Sequence, residues 1–479
     1  MIGVPEMLID KLTVRSFKSI VDQEIELGQF NVFIGANGSG KSNLLEALGV
    51  LSAAAFGRVD DESLLRRGVR PGVPRLYKNS FAGLRTPPHI YFEAQGGEAR
   101  YAVSLNNPLE NPRSAWQYKT ESLEFKRKKV AGRGPHKNNF TFSAADSLHN
   151  EKNDEKRNQL SKEEKQLRTE KINAILKDFN QLIIPSNPDI TKEELKNLLF
   201  NRLFEDMGME PDDWPVVNNK EQGIVPLILA TLPSEHPVTQ LIDTLRTYAV
   251  YAPNTPTLRG MISDLQMREP VGLSGGGLAD AVQALQHLAE KDQDIQDLLD
   301  DVLELIDWAS GFDTSTSAQS LLSASVPRHK HLLRFRDRYM PARHSQLTAF
   351  DASEGALYVL FNAVLALSPK APPCLAIDNL DQALNPRLAK ALIKTLCRLV
   401  LAQPVPRQLL MTVHNPAALD GLPLLDDRVR LFAVDRNSAG HTGFRRIQIS
   451  EELKARYQQE GLSLSRMWVM GHLGGVPDV

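Results

Sequence analysis

The chain has 479 residues, 42% hydrophobic and 24% charged, with a net charge of -2; this is the profile of a globular protein of two or three domains and excludes a disordered or globally basic, nucleic-acid-coating one. No apolar run approaches the roughly 18 residues that cross a bilayer, and no charged-then-apolar leader opens the sequence, so no membrane contact and a cytoplasmic location are expected. Cys374 and Cys397 lie in apolar runs without metal-ligand spacing and are expected as buried thiols.

In chain order, Leu8-Ile9-Asp10-Lys11-Leu12-Thr13-Val14 and Glu24-Ile25-Glu26-Leu27 alternate apolar and polar side chains as half-exposed strands do, and Phe30-Asn31-Val32-Phe33-Ile34 reads as a buried strand. Gly35-Ala36-Asn37-Gly38-Ser39-Gly40-Lys41-Ser42 then meets Gly-x-x-x-x-Gly-Lys-Ser, and helical character begins at Asn43. Strand, loop and helix in that order make a phosphate-binding P-loop. Glycines at 35, 38 and 40 let the backbone bring N–H groups to phosphate oxygens, with Asn37, Ser39 and Asn43 completing the cradle. Lys41 is placed for the β- and γ-phosphates and Ser42 for Mg²⁺.

Residues 58–85 read as a basic loop carrying Arg66, Arg67, Arg70, Arg75 and Lys78. Ile90–Ala94 and Arg100–Leu105 predict a hairpin whose four- or five-residue turn holds Gln95. From residue 108 the composition shifts to a charge-dense run, Lys119 to Asp178, that includes Lys126-Arg127-Lys128-Lys129. Helices are expected over Lys162–Phe179 and Glu193–Phe204. The narrow stripe Ile172, Ile175, Leu176 and Phe179 suits docking on the parent domain and a self-assembly or partner hairpin equally. Leu273-Ser274-Gly275-Gly276-Gly277 is expected as a turn opening a helix. Further on, Arg328, Lys330, Arg334, Arg336, Arg338 and Arg343 crowd one segment, and a strand there sets Arg334, Arg336 and Arg338 on one face, open to nucleic-acid phosphates, a neighbour's nucleotide, an acidic partner or water alone.

Ser353-Glu354-Gly355-Ala356, ahead of the apolar run Leu357–Leu367, predicts an N-capped helix whose first turn offers N–H groups and a hydroxyl to an anion. Cys374-Leu375-Ala376-Ile377-Asp378 reads as a buried strand ending in a metal-holding acid, followed by Asn379 and, two residues on, Asp381. A helix over Arg387–Leu401 leads to Gln408-Leu409-Leu410-Met411-Thr412-Val413-His414, a buried strand ending in a histidine. Val429–Val434 and Phe444–Ile449 are expected as strands, before a closing helix and a Gly-Pro-rich tail.

Val14-Arg15-Ser16-Phe17-Lys18-Ser19-Ile20, taken with Ile34 to Asn43, resembles the N-terminus shared by the SMC, RecF and OLD branch of ABC-class ATPases, and Tyr251 to Gly260 resembles a stretch of the OLD-like predicted AAA ATPases of prokaryotes. The resemblance implies an α/β fold, an ABC-type ATPase head with a mostly parallel core sheet, an antiparallel side sheet and a mainly helical insertion. The head parts are expected at 1–107 and 321–479 and the insertion at 108–320. ATP and Mg²⁺ are implied, with Lys41, Asp378, Asn379, Asp381 and His414 as the catalytic set. Ser42 and Asp378 would stand at the metal, and Ser353-Glu354-Gly355 as the signature that meets the γ-phosphate across a dimer interface. Leu273–Gly277 lies too far ahead of Asp378 to be that signature, and a turn position speaks against Gln95 as the metal-ligating Q-loop glutamine.

Asn379 departs from the family pattern, which has a glutamate there. An amide orients water but cannot take its proton, so slow hydrolysis is expected. Relatives often work beside a separately encoded nuclease or toxin in defence against phage, which implies a homo-oligomer assembled around nucleotide with a partner effector. The alternative is a DNA repair or maintenance ATPase of RecF or SMC kind acting on DNA itself.

Overall fold

The computed structural model describes residues 7–134, 140–142, 220–229, 232–316, 321–323, 330–450 and 462–473. Its first strands are β1 (Lys11–Phe17), β2 (Ile20–Glu26), β3 (Phe30–Ile34), β4 (His89–Gly96), β5 (Ala99–Asn106), β6 (Gln117–Phe125), β7 (Lys128–Arg133) and β8 (Phe140–Phe142). The second half adds β9 (Val250–Tyr251), β10 (Ala309–Ser315), β11 (Leu332–Asp337), β12 (Gln346–Thr348), β13 (Cys374–Ile377), β14 (Gln408–Val413), β15 (Val429–Arg436) and β16 (Thr442–Ile447).

Five strands run parallel in the core sheet, in the spatial order β15-β3-β14-β13-β9, with β16 antiparallel on the outer side of β15. A parallel sheet is covered on both faces, which is why these strands are apolar at successive positions instead of alternating. Side chains still point alternately to the two sides. Phe33, Cys374, Ala376, Leu410, Phe432 and Val434 join one core with the P-loop helix Lys41–Phe56. Val32, Ile34, Leu375, Ile377, Leu409, Met411, Val413 and Leu431 join the other, with helices Glu354–Leu367 and Pro386–Leu401. Pro386 takes the first helical position and the Asn385 side chain accepts from Leu388 N (2.9 Å), so the start of that helix is doubly marked.

Over the far side of the P-loop helix lies a second, antiparallel sheet in the order β2-β1-β4-β5-β6-β7-β8, and β10-β11-β12 form a small antiparallel sheet of their own. The expected α/β head with core and side sheets is thus present. Several details differ from the sequence reading. The hairpin turn is tighter, because Gly96 pairs with Ala99 and Gly97 takes the left-handed φ of 53° that a two-residue turn requires. Residues 117–133, assigned to a mainly helical insertion, are strands continuing the side sheet, with Lys126 and Arg127 in left-handed backbone at the β6–β7 turn. β9 likewise belongs to the core sheet. The expected helices Lys162–Phe179 and Glu193–Phe204 and the Gly-Pro-rich tail lie outside the described residues.

Nor is the 58–85 stretch an open basic loop. Arg67 is buried and donates to Ser52 Oγ (2.7 Å) and Ser63 O (2.8 Å), Lys78 is buried and donates to Pro88 O and Asn107 O, and Arg70 pairs with Glu46. Both cysteines are buried free thiols, as expected. Among the described residues no helix is long and apolar enough to cross a membrane.

One buried side chain ties the core sheet to the entry and exit of the β1–β2 hairpin. Gln408, fully buried at the start of β14, donates to Ile9 O (2.8 Å) and Gly28 O (2.7 Å) and accepts from Ile9 N (3.0 Å). Gln408→Leu keeps the volume but orphans the buried Ile9 N–H and C=O, while Gly28 O keeps its bond from Asn31 Nδ2 (2.8 Å); a loss of about 3 kcal/mol in unfolding free energy is expected by denaturant titration, with the folded fraction still binding nucleotide.

Candidate nucleotide site

Ligand sites of open α/β sheets lie at the carboxyl ends of the strands, and the parallel order brings four such ends together: the P-loop after β3, His414 after β14, Asp378 after β13 and Ala252-Pro253-Asn254 after β9. Gly35 and Gly40 are required by space as well as by φ. A Cβ on Gly35 would strike the Val434 carbonyl, and one on Gly40 the Thr442 hydroxyl. Thr442 in turn donates to Ser39 O (2.7 Å) and shares a hydrogen bond with Ser19 Oγ (2.7 Å), which accepts from Asn43 Nδ2 (2.8 Å). The loop is therefore clamped from β16 and from the β1–β2 turn. Asn37 and Gly38 stand exposed at its tip, and the space over Gly38 is open.

Lys41 is buried and donates to Gly35 O (2.7 Å) and Ala36 O (3.0 Å). Burial pulls its ammonium down to about 8, against Asp378 and Asp381, whose charges raise it. Ser42 Oγ donates to Asp378 Oδ1 (3.0 Å), and Thr412 Oγ1 donates to the same oxygen (2.5 Å) while accepting from Asn379 N (2.8 Å). Asn379 has a left-handed φ of 56°, which turns its side chain toward His414, at 2.7 Å from Nε2 to Oδ1. An amide oxygen only accepts, so His414 carries its proton on Nε2 and the Asn379 NH₂ faces away from the histidine. Burial first, and then Lys41, holds the imidazole below its ordinary pKa, while the two aspartates oppose this. His414 is therefore neutral at neutral pH.

The sequence-chosen groups Lys41, Ser42, Asp378, Asn379, Asp381 and His414 are brought together. Asp381 is turned to the backbone: its Oδ2 accepts from His414 N (2.8 Å) and Asn415 N, which pins the turn after β14. Thr412 and Thr442 were missed, since a threonine inside a buried strand carries no motif. Gln95 is placed in the β4–β5 hairpin, paired with Arg100 and donating to Gly97 O (3.3 Å), so the strand end beside Asp378 is that of β9.

Leu273–Gly277 is a turn ahead of helix Leu278–Ala289, and the Asp264 carboxylate accepts from Ser274 N (2.8 Å) and Gly276 N (3.0 Å), occupying the amides that a signature would offer. Ser353 caps helix Glu354–Leu367, and Ser353 and Glu354 are exposed. Of the basic stretch, Arg328 lies outside the described residues. Arg334 is paired with Asp313 (2.7 and 2.9 Å) and Arg338 donates to Ala309 O (2.7 Å), leaving Lys330, Arg336, Arg338 and Arg343 with exposed side chains.

The residues fit ATP and Mg²⁺. Ser39 Oγ is buried without a partner among the described residues, the loop backbone is open over Gly38, and Ser42 and Asp378 supply the hard oxygen ligands that Mg²⁺ takes.

A family model described as "AAA domain, putative AbiEii toxin, Type IV TA system" matches residues 30–226. The "DNA replication and repair protein RecF" of Magnetococcus marinus is 36% identical over 111 residues, 23% of this chain and 28% of that protein. The "DNA double-strand break repair Rad50 ATPase" of Saccharolobus solfataricus is 35% identical over 72 residues, 15% of this chain and 8% of the relative. Similarity to these curated relatives thus spans less than a third of their length. A solved structure described as "Crystal structure of the SmcHead bound to the C-winged helix domain of ScpA" overlaps loosely, with a TM-score of 0.43 at 10% identity over 93% of this chain and 99% of that one.

Two outcomes are expected. Phosphate binding needs the Lys41 ammonium, so ATP affinity should be level below pH 7.5 and fall by up to about tenfold per pH unit above about 8, with uptake of one proton. Calorimetry in buffers of different ionisation enthalpy reads this directly, and Lys41→Met should abolish the slope. Thr412→Val keeps the shape of β14 but removes the hydroxyl behind Asp378, and should weaken Mg²⁺-dependent nucleotide binding by about ten- to a hundredfold, seen by titrating Mg²⁺ against bound fluorescent ATP.

Proposed function

We propose that this chain, an ABC-type P-loop ATPase head of the SMC/RecF branch, binds ATP with Mg²⁺, assembles with a second copy around the nucleotide, hydrolyses it slowly, and controls a separately encoded nuclease or toxin in prokaryotic defence against phage. The observation that carries the reading is the His414–Asn379 pair beside Lys41, Ser42 and Asp378: a nucleotide site with its phosphate and metal groups assembled and an amide where a proton acceptor belongs.

The P-loop amides and Lys41 would hold the β- and γ-phosphates, and Ser42 and Asp378 would hold the metal. Bound Mg²⁺ would neutralise charge on the transferring phosphoryl group. Asn379 offers its NH₂ to the attacking water or a phosphate oxygen. His414, neutral, keeps that amide oriented and, among the described residues, has no second ring-nitrogen partner for a relayed proton. Asp381 acts by position, holding the backbone from which His414 projects. Ser353, Glu354 and Gly355 of the second copy would close on the γ-phosphate. Without a carboxylate at position 379 to accept the water's proton, the rate advantage of a general base there, about 10²–10⁴-fold, is absent, and the ATP-bound assembly is long-lived. The toxin wording of the family description supports an effector partner, and a cytoplasmic location belongs to the same proposal.

The second reading, a DNA repair or maintenance ATPase, is favoured by the local similarity to RecF and Rad50 proteins. It requires ATP-dependent, salt-sensitive duplex binding by the isolated protein, which the first does not. Turnover and oligomeric state of the wild type, Lys41→Ala and Asn379→Glu test the proposal. Slow wild-type turnover with ATP-dependent assembly, a gain of about a hundredfold in Asn379→Glu and loss of both in Lys41→Ala are expected. Rapid wild-type turnover that Asn379→Glu does not raise would refute it.

A further inference from the structure

We propose that Trp308 is a positioning residue that sets the Ser353 hydroxyl to donate to the terminal phosphate of a nucleotide held by a second copy of the chain; the proposal rests on the signature reading above. Trp308 sits at the entry to β10. Its carbonyl accepts from Arg338 N (3.0 Å), and its ring lies 5.4 Å from that of the buried Phe335 on β11, so the small three-stranded sheet fixes it in place. From there the indole Nε1 donates to Ser353 Oγ (3.2 Å), and Ala356 N donates to the same oxygen (3.4 Å).

Indole and amide N–H groups are donors only, and a hydroxyl oxygen has two lone pairs and one hydrogen. With both lone pairs engaged by Trp308 and Ala356, the one capacity left to Ser353 is to give its hydrogen. Among the described residues that hydrogen has no acceptor. Ser353 is exposed at the head of helix Glu354–Leu367, and the Glu354 and Gly355 N–H groups, ahead of the capped Ala356 N, have no acceptor among the described residues. An anion approaching the helix start therefore meets a hydroxyl already committed as a donor beside free amides. Without the indole the hydroxyl can rotate and accept from water, and part of its donor character is lost. Leu273–Gly277, the other glycine-rich helix start, offers no such group, since Asp264 fills it.

The test is a double-mutant cycle on the full chain, reading ATP-driven self-association by sedimentation. Ser353→Ala and Trp308→Phe should each weaken association by about tenfold, Trp308→His, which keeps a ring N–H, should weaken it less, and the double variant should be no weaker than Ser353→Ala. An additive double variant, or an unchanged Trp308→Phe beside a weakened Ser353→Ala, overturns the role of Trp308 and leaves the signature reading standing. An unchanged Ser353→Ala, or a wild type that does not associate with ATP, removes the signature reading and this proposal together. A second readout does not require Trp308 to be replaced: of the four tryptophans, Trp116, Trp214 and Trp468 are changed to Phe, and ATP must then shift the emission of Trp308 in the Ser353 protein and not in Ser353→Ala. Emission that ATP leaves unchanged overturns the proposal.

Discussion

The Asp378 carboxylate takes two hydroxyl donors on one oxygen, Ser42 at 3.0 Å and Thr412 at 2.5 Å, and through them the P-loop helix, β13 and β14 are held in one register. The P-loop helix lies more than three hundred residues ahead of β13 and β14 in the chain, and the strand order β3-β14-β13 makes them neighbours. The same Thr412 hydroxyl accepts from Asn379 N, so it also fixes the residue after the acid in left-handed backbone. Such a conformation costs a residue with a Cβ about 1 kcal/mol or more, least for Asn. The cost is offset locally by the bond to Thr412 and by the contact of the side chain with His414. On the other flank Asp378 N donates to Tyr251 O (2.8 Å), which ties β9 and the loop after it to the same point.

That arrangement stands on a P-loop helix buried along almost its whole length, and the helix carries a buried charge. Glu46 is 3% exposed and is met by Lys18 from the β1–β2 turn and Arg70 from the 58–85 stretch. A carboxylate buried this far is tolerable only with partners, and removal of one partner from a buried pair costs on the order of 3–5 kcal/mol. The turn that bears Lys18 also bears Ser19, which accepts from Asn43 and shares a hydrogen bond with Thr442 under Gly40. Charge pairing and loop clamping thus come from one short segment, and of the basic residues after the helix Arg70 adds the second countercharge.

What could be read from the residues follows from how local the determining physics is. A P-loop is decided within eight residues by glycine φ angles and one lysine, and the strands on either side by unbroken apolar runs; both were legible. Asp378, Asn379 and His414 were legible because each ends such a run. The roles of Thr412 and Thr442 were not, because they depend on which strand lies next to which. The split of 117–133 into strands was masked by charge: on the outer sheet alternate positions face solvent, and Lys126 and Arg127 sit in the turn, so a polar composition hides a period of two. Gln95 was a plausible ligand by residue type alone, while strand order sets the end of β9 beside Asp378.

The chemistry then turns on hydrogen-bond capacity more than on charge. Lys41, the P-loop amides and the start of the helix are all suited to phosphate, and whatever part of their contact is the same for bound ATP and for the transition state is uniform binding. Interactions of that kind tighten binding without lowering the barrier. A lower barrier needs a group that takes the water's proton as it attacks, and the residue after Asp378, an amide paired with His414, cannot take it. The Asn379 oxygen is occupied by His414, the His414 Nε2 proton by Asn379, and one Asp381 oxygen by two backbone amides. Under the function proposed above, such a site would convert the free energy of ATP binding into a persistent structure, and the exposed Ser353 turn is where a second copy would read it.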